Sequence, residues 1–251
     1  MSDAPRLLIT GFGPFPGAPV NPTMPLVRTL TTLRRPALAD VVRIAHIFDV
    51  TYATVDRELP ALIARHRPDA LLCFGLAART PHIRIEPRAR NAVSMLWPDA
   101  DGTPVRRGFI QRGADAQSFG PHTARLLQAV RRTGVDVRLS RDAGRYLCNY
   151  LSWRTIEAAR TTTGPLLAAF VHVPLTAADT ASQRMRASDL AVAGQAVLLE
   201  MARLVRATNG PREPGSDRYS PCPHGSPSPG GREAAMPKPA LCSAASAAKW
   251  R

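Results

Sequence analysis

The 251-residue chain, 45% hydrophobic and 21% charged, is long enough to bury a full core, and its balance excludes fibrous, wholly disordered and membrane-embedded classes. Its net charge is +14, but the residues from Pro211 onward carry six basic and three acidic side chains, a net +3, and the remaining +11 comes from basic side chains that are all arginine. Pairs such as Arg34 and Arg35, Arg106 and Arg107, and Arg131 and Arg132 are scattered, with no zinc-finger spacing, RNA-binding aromatic signature or basic zipper, so no nucleic-acid partner is expected.

In chain order, short apolar runs alternate with helical patterns, the signature of an α/β protein with a mostly parallel sheet covered by helices. Leu7 to Thr10 is the first strand and Val41 to Ile47 the second. Val55, Leu59, Leu62 and Ile63 keep helical spacing up to Pro68, with a kink expected at Pro60. Ala70 to Phe74 is the third strand; a helix over His122 to Val130 starts after Pro121, stops near Gly134 and leads into a strand over Val135 to Leu139. Leu166 to Val173 is the last strand, and Ser188 and Asp189 are placed to cap a final helix with Leu190, Gly194, Val197, Met201 and Leu204 on one face.

After Asn209 the composition changes, and eight of the 24 prolines fall between Pro211 and Pro239. Such a segment buries too little to offset its ordering entropy. The expected organisation is one folded domain over residues 1–209 and a disordered tail over 210–251. Cys222, His224 and Cys242 in that tail match no zinc spacing, so neither metal nor cofactor is expected. The apolar run Leu7 to Ile9 is too short for a signal peptide, no stretch of some eighteen apolar residues occurs, and four cysteines are too few for a disulfide framework. A cytoplasmic protein without membrane contact is the expectation.

Candidate functional residues sit at the ends of these elements. The loop Gly11-Phe12-Gly13-Pro14-Phe15-Pro16-Gly17 follows a strand but is no phosphate cradle, because Pro14 and Pro16 lack N–H donors and the G-x-G-x-x-G spacing is absent. Phe12 and Phe15 on this stiff loop either wall a small flat pocket or cap the core. Cys148 lies where a helix begins after a glycine turn; a helix N-terminus favours a thiolate and its free N–H groups can hold an oxyanion, though a small buried cysteine fits the position as well. Cys73, inside a strand, reads as core. His172 ends an apolar run at a strand terminus, where open α/β sheets place their sites, and Glu86 alternates with Ile83 and Ile85. Taken singly, His172 also reads as a structural histidine and Glu86 as an arginine-paired carboxylate.

Four separated blocks give these residues a common context: Ile9-Thr10-Gly11-Phe12-Gly13-Pro14-Phe15 with Asn21-Pro22, the segment from His82 to Asn91, Ala143-Gly144-Arg145-Tyr146-Leu147-Cys148-Asn149, and Val171-His172-Val173-Pro174. In order and spacing they resemble the pyroglutamyl peptidase I family of cysteine peptidases, over residues 6 to about 206. The resemblance implies a three-layer α/β/α sandwich, commonly a homotetramer, with Cys148, His172 and Glu86 as a triad that hydrolyses the bond after an N-terminal pyroglutamyl residue of a peptide. It further implies a thioester intermediate, with Phe12 and Phe15 walling the lactam and Asn21, Tyr146 and Leu147 completing the pocket. Two departures lie near the chemistry. Leu76 follows Gly75 where members commonly carry Gln, and Met95-Leu96-Trp97-Pro98 stands where an Arg-containing run is usual. Arg90 or Arg88 is a candidate substitute for that cation. An altered acyl specificity, or a binding protein on the same scaffold, are the readings these losses keep open.

Overall fold

A computed structural model describes residues 4–15, 18–176 and 185–209. The elements run β1 (Arg6–Phe12), α1 (Thr23–Thr32), β2 (Val42–Phe48), α2 (Tyr52–His66), β3 (Ala70–Leu76), β4 (Ile83–Glu86), the short strands β5 (Arg88–Ala89) and β6 (Gln117–Ser118), α3 (His122–Arg131), β7 (Val137–Leu139), α4 (Leu147–Ala159), β8 (Leu167–Val173) and α5 (Ala187–Asn209). They all belong to the unit Met1–Arg212; the unit Glu213–Arg251 lies outside the described residues, and with it nearly all of the expected tail over 210–251, including Cys222, His224 and Cys242.

Six strands form the main sheet in the order β2-β1-β3-β8-β4-β7. The β1–β2, β1–β3 and β3–β8 pairs are parallel, β4 runs antiparallel to β8, and β7 is parallel to β4. Alternation along the strands divides the core in two. Leu7, Ile9, Leu72, Phe74, Ala169 and Val171 face a cluster completed by Leu26 and Leu30 of α1, Leu126 and Val130 of α3, and Val197 and Met201 of α5. Leu8, Leu71, Cys73, Ala168 and Phe170 face the opposite cluster, with Val55 and Leu59 of α2 and Leu151, Trp153 and Ile156 of α4. The result is the three-layer α/β/α sandwich.

Local chemistry explains most element ends. The Thr51 side chain accepts from the Thr54 N–H at 3.1 Å and caps α2, which runs through Pro60 and stops at Arg67, whose φ of 43° is left-handed. In α5 the expected cap is displaced: the helix begins at Ala187, and Asp189 reaches back to accept from the Arg186 N–H at 2.9 Å, the reciprocal half of a capping box. The last strand before α4 starts at Val137, two residues later than expected. Helix α1 has no counterpart in the sequence reading, because Pro22 and Pro25 at its entrance mask the Leu26, Val27 and Leu30 stripe and no side chain caps it. No helix among the described residues is long and apolar enough to cross a membrane.

Candidate active site

The reversal of β4 brings an acid to a histidine. In the β4–β8 ladder Arg84 lies opposite His172 and Glu86 opposite Phe170, so Glu86 projects diagonally from His172 on the same face, one pleat deeper in the sheet. That depth leaves Glu86 at 0% and His172 at 3% exposure. A carboxylate buried to this extent needs a partner. It accepts a hydrogen bond from His172 Nδ1 at 2.6 Å, and the Arg84 guanidinium stands 3.7 Å from the same Oε1. With Nδ1 holding the proton for Glu86, the other ring nitrogen, Nε2, is the one left to accept.

The thiol comes from the helical layer packed on that same face. Tyr146 is the N-cap of α4 and Leu147 its first residue, so Cys148 sits in the first turn, among N–H groups that have no intrahelical acceptor. Its sulfur lies beside the His172 imidazole and acts on it electrostatically. Burial works to lower the basicity of that imidazole, but the Cys148 thiol and the Glu86 carboxylate together outweigh it and push the group up to about 9. Gly75, opposite His172 across the β3–β8 ladder, gives the sulfur its space: a Cβ there would stand 2.7 Å from Cys148 Sγ and 2.7 Å from a Phe170 ring carbon. Asn149, fully buried, fixes the helix start by accepting from the Arg90 N–H at 2.8 Å and donating to the Arg90 and Ala92 carbonyls, both at 2.9 Å. His172 thus bonds Glu86, and Cys148 stands on the same face over Gly75, the ladder neighbour of His172.

The residues expected to bind substrate are placed more variously. Phe12 is buried against Phe48, with ring centroids 6.1 Å apart, and Phe15 is half-buried at a bridge to Ala18. Asn21 is an internal lace of this loop: its Nδ2 donates to the Gly13 carbonyl at 3.0 Å and its Oδ1 accepts from the Thr23 N–H at 3.1 Å. The Gly11 position admits no side chain, since a Cβ would meet Thr23 Oγ1 at 2.9 Å. Leu147 packs into the core on the α4 side, and Tyr146 is half-buried, edge-on to Tyr52 and donating from its hydroxyl to the Pro98 carbonyl at 3.1 Å. Pro16 and Gly17 lie outside the described residues.

Sequence reasoning missed Gly75 as the seat of the sulfur, and it missed Arg84. Among the described residues neither of the two candidate arginines hydrogen-bonds or pairs with the triad: Arg90 pairs with Asp142, and Arg88 bonds the Arg141 carbonyl at 3.4 Å. The arginine that reaches Glu86 and His172 is Arg84, and its signal was its place two residues before the acid in an alternating strand. Leu96 is 88% exposed and supplies no polar group. A groove of about 1120 Å³ between α2 and α4 contains none of the triad; its Arg154 pairs with both Asp56 and Glu157.

Fold and side chains thus describe an α/β protein in which a thiol, an imidazole and a buried carboxylate meet at one end of a largely parallel sheet. The profile of the pyroglutamyl peptidase family matches residues 5–203, and the chain belongs to that family. It is 32% identical over 173 residues to the pyrrolidone-carboxylate peptidase of Thermococcus kodakarensis, which covers 67% of this chain and 81% of that protein. It is 28% identical over 170 residues to the enzyme of the same name from Streptococcus suis, covering 67% of this chain and 77% of the relative. Among solved structures, the pyrrolidone carboxyl peptidase of Thermococcus litoralis superposes with a TM-score of 0.73 at 24% identity, over 84% of this chain and 99% of the other. The pyroglutamyl peptidase I of Bacillus amyloliquefaciens gives 0.70 at 23% identity, over 79% and 97%. Both are likenesses of fold.

Proposed function

We propose that the protein is a cysteine exopeptidase that hydrolyses the amide bond after an N-terminal pyroglutamyl residue of a peptide. The observation that carries this reading is the buried pair in which Glu86 accepts from His172 Nδ1 at 2.6 Å, with Cys148 in the first turn of α4 and its sulfur over Gly75, the ladder partner of His172. Cys148 gives its proton to His172 Nε2, and its sulfur attacks the pyroglutamyl carbonyl carbon. The charge that develops on the carbonyl oxygen is met by N–H groups of the first turn of α4. The C–N bond then breaks, the imidazolium returns its proton to the leaving amine, and a thioester remains. Water, losing its proton to His172, cleaves the thioester and releases pyroglutamate and the free thiol. Glu86 keeps the imidazole in the tautomer that this sequence requires.

Phe12 and Phe15 wall the flat lactam in this reading, Asn21 holds their loop in shape, and Tyr146 and Leu147 close the pocket beside the nucleophile. Loss of the usual amide and cation at Leu76 and Leu96 leaves oxyanion stabilisation to backbone N–H groups. The reading includes a catalytic unit over residues 1–209 and a cytoplasmic place, which free Cys73 and Cys148 support. It also includes a homo-oligomer, a tetramer by family resemblance, which exposed Met95, Leu96 and Trp97 support. Turnover of a chromogenic pyroglutamyl amide by the reduced protein tests the chemistry. Wild type releases the chromophore and Cys148→Ala loses at least about a thousandfold in kcat; equal rates in both would dismiss the mechanism.

A further inference from the structure

Arg84 is the charged side chain beside His172 that the reaction just described leaves without a role. From β4, Arg84 and Glu86 face the imidazole, and from α4, Cys148 faces it. The nearest β3 thiol, Cys73, is driven up to about 12 by burial and stays neutral. Tyr52 and Tyr146, on which Cys148 acts electrostatically, are phenols raised chiefly by burial and stay neutral as well. A guanidinium does not deprotonate in a protein, so Arg84 is the permanent cation of the group. Its side chain is largely buried, its Nη2 is 3.3 Å from His172 Nδ1 and 3.7 Å from Glu86 Oε1, and its Nε has no hydrogen-bond partner among the described residues.

These two contacts act in opposite directions. The guanidinium attracts the carboxylate and repels the imidazolium, and having no acceptor it can bond Nδ1 only when that nitrogen is bare. A bare Nδ1 puts the ring proton on Nε2, the position the thiol proton must occupy. Glu86 and Arg84 therefore compete for one nitrogen, and the shorter bond, to the carboxylate, holds the useful tautomer. An imidazolium flanked by a buried carboxylate and a thiolate also binds its proton firmly, and a firmly held proton is returned slowly to a leaving amine.

We propose that Arg84 is a positioning residue of the peptidase reaction: held at the Nδ1 edge of His172 by the β4–β8 ladder, it limits the basicity of the imidazole and so makes it a better acid towards the leaving amine. The proposal rests on the peptidase reading for its kinetic consequence, but its electrostatic part stands on the thiol and imidazole alone. Two pH profiles on the full chain therefore test it: hydrolysis of a pyroglutamyl amide, and alkylation of Cys148 by iodoacetamide.

Arg84→Met moves the alkaline limb of both profiles upward by roughly half a unit to one unit and lowers kcat with KM nearly unchanged, whereas Arg84→Lys, which keeps the charge, stays near wild type. In the Glu86→Gln background the sign reverses, and Arg84→Met raises kcat because the competing bond to Nδ1 is gone. Arg84→Gln gives the same readouts if the methionine variant fails to fold. Superimposable alkylation profiles for wild type and both neutral variants overturn the proposal. Shifted alkylation with no pyroglutamyl hydrolysis by wild type sinks the substrate reading and leaves the role of Arg84 standing.

Discussion

Cys148 divides its surroundings into two regions of different character. Towards the sheet, every neighbour is buried and geometrically committed: His172 bonds Glu86 at 2.6 Å, and Gly75 and Phe170 lie against the sulfur. Towards the loops, Met95, Leu96 and Trp97 stand exposed on a segment held by two bonds, from the Ser94 N–H to the Arg145 carbonyl at 2.6 Å and from the Tyr146 hydroxyl to the Pro98 carbonyl at 3.1 Å. Close packing in the first region leaves no tolerance for an added atom, whereas solvent on the second absorbs change. Proton transfer needs sub-ångström placement, and the sheet supplies it.

The contrast fails if substitutions on the two sides cost alike. On the sheet side, Glu86→Gln has the largest expected effect. It removes the acceptor that fixes the tautomer, and kcat/KM falls by roughly 10³ to 10⁴. The alkaline limb of the pH profile also moves down from about 9, because one of the groups that raise the imidazole is lost. The same raised value bears on folding. The ordinary value is 6.5, so the contribution of His172 to stability is complete below that pH and disappears as pH rises through about 9. Urea unfolding at pH 6 and pH 10 measures it, and Glu86→Gln shrinks the difference.

Gly75→Ala comes next. Its methyl group would meet Cys148 Sγ and the Phe170 ring, each at 2.7 Å, and displacing them costs roughly 1–3 kcal/mol of stability with about a hundredfold in kcat. Parallel urea curves and turnover measurements read both, and a silent substitution would show that the sulfur is not seated on β3. The smallest effect belongs to the loops. Leu96→Ala, at an 88% exposed position, changes stability by less than about 0.5 kcal/mol and kcat by less than about twofold. A tenfold loss there would make the loop part of the chemistry.

The expectations drawn from sequence succeed where the signal is local. Strands β1, β2, β3 and β8 and helices α2, α3 and α5 show as apolar runs or stripes with capping and breaking residues at their ends, and each lies within a few residues of its expected place. Helix α1 escapes because two prolines mask its entrance, and β4 because four alternating residues ended by a proline do not stand out from a loop. Within the site, the blocks that contain Cys148, His172 and Glu86 drew attention to all three, and the structure shows the bond between His172 and Glu86. Asn21 laces its loop and Leu147 packs into the core beside the nucleophile, placements that one dimension does not show.

By itself the sequence determined the α/β alternation and the apolar faces that sandwich the sheet, because periodicity and capping are written within a few residues of one another. Tertiary structure alone decided that β4 runs against β8. That reversal joins residues 86 positions apart in Glu86 and His172 and 88 apart in Arg84 and His172, and the neighbouring β3–β8 register leaves a glycine beneath the sulfur. Strand direction and register are settled by which faces bury together across the whole sheet, and no local run of residues carries that information.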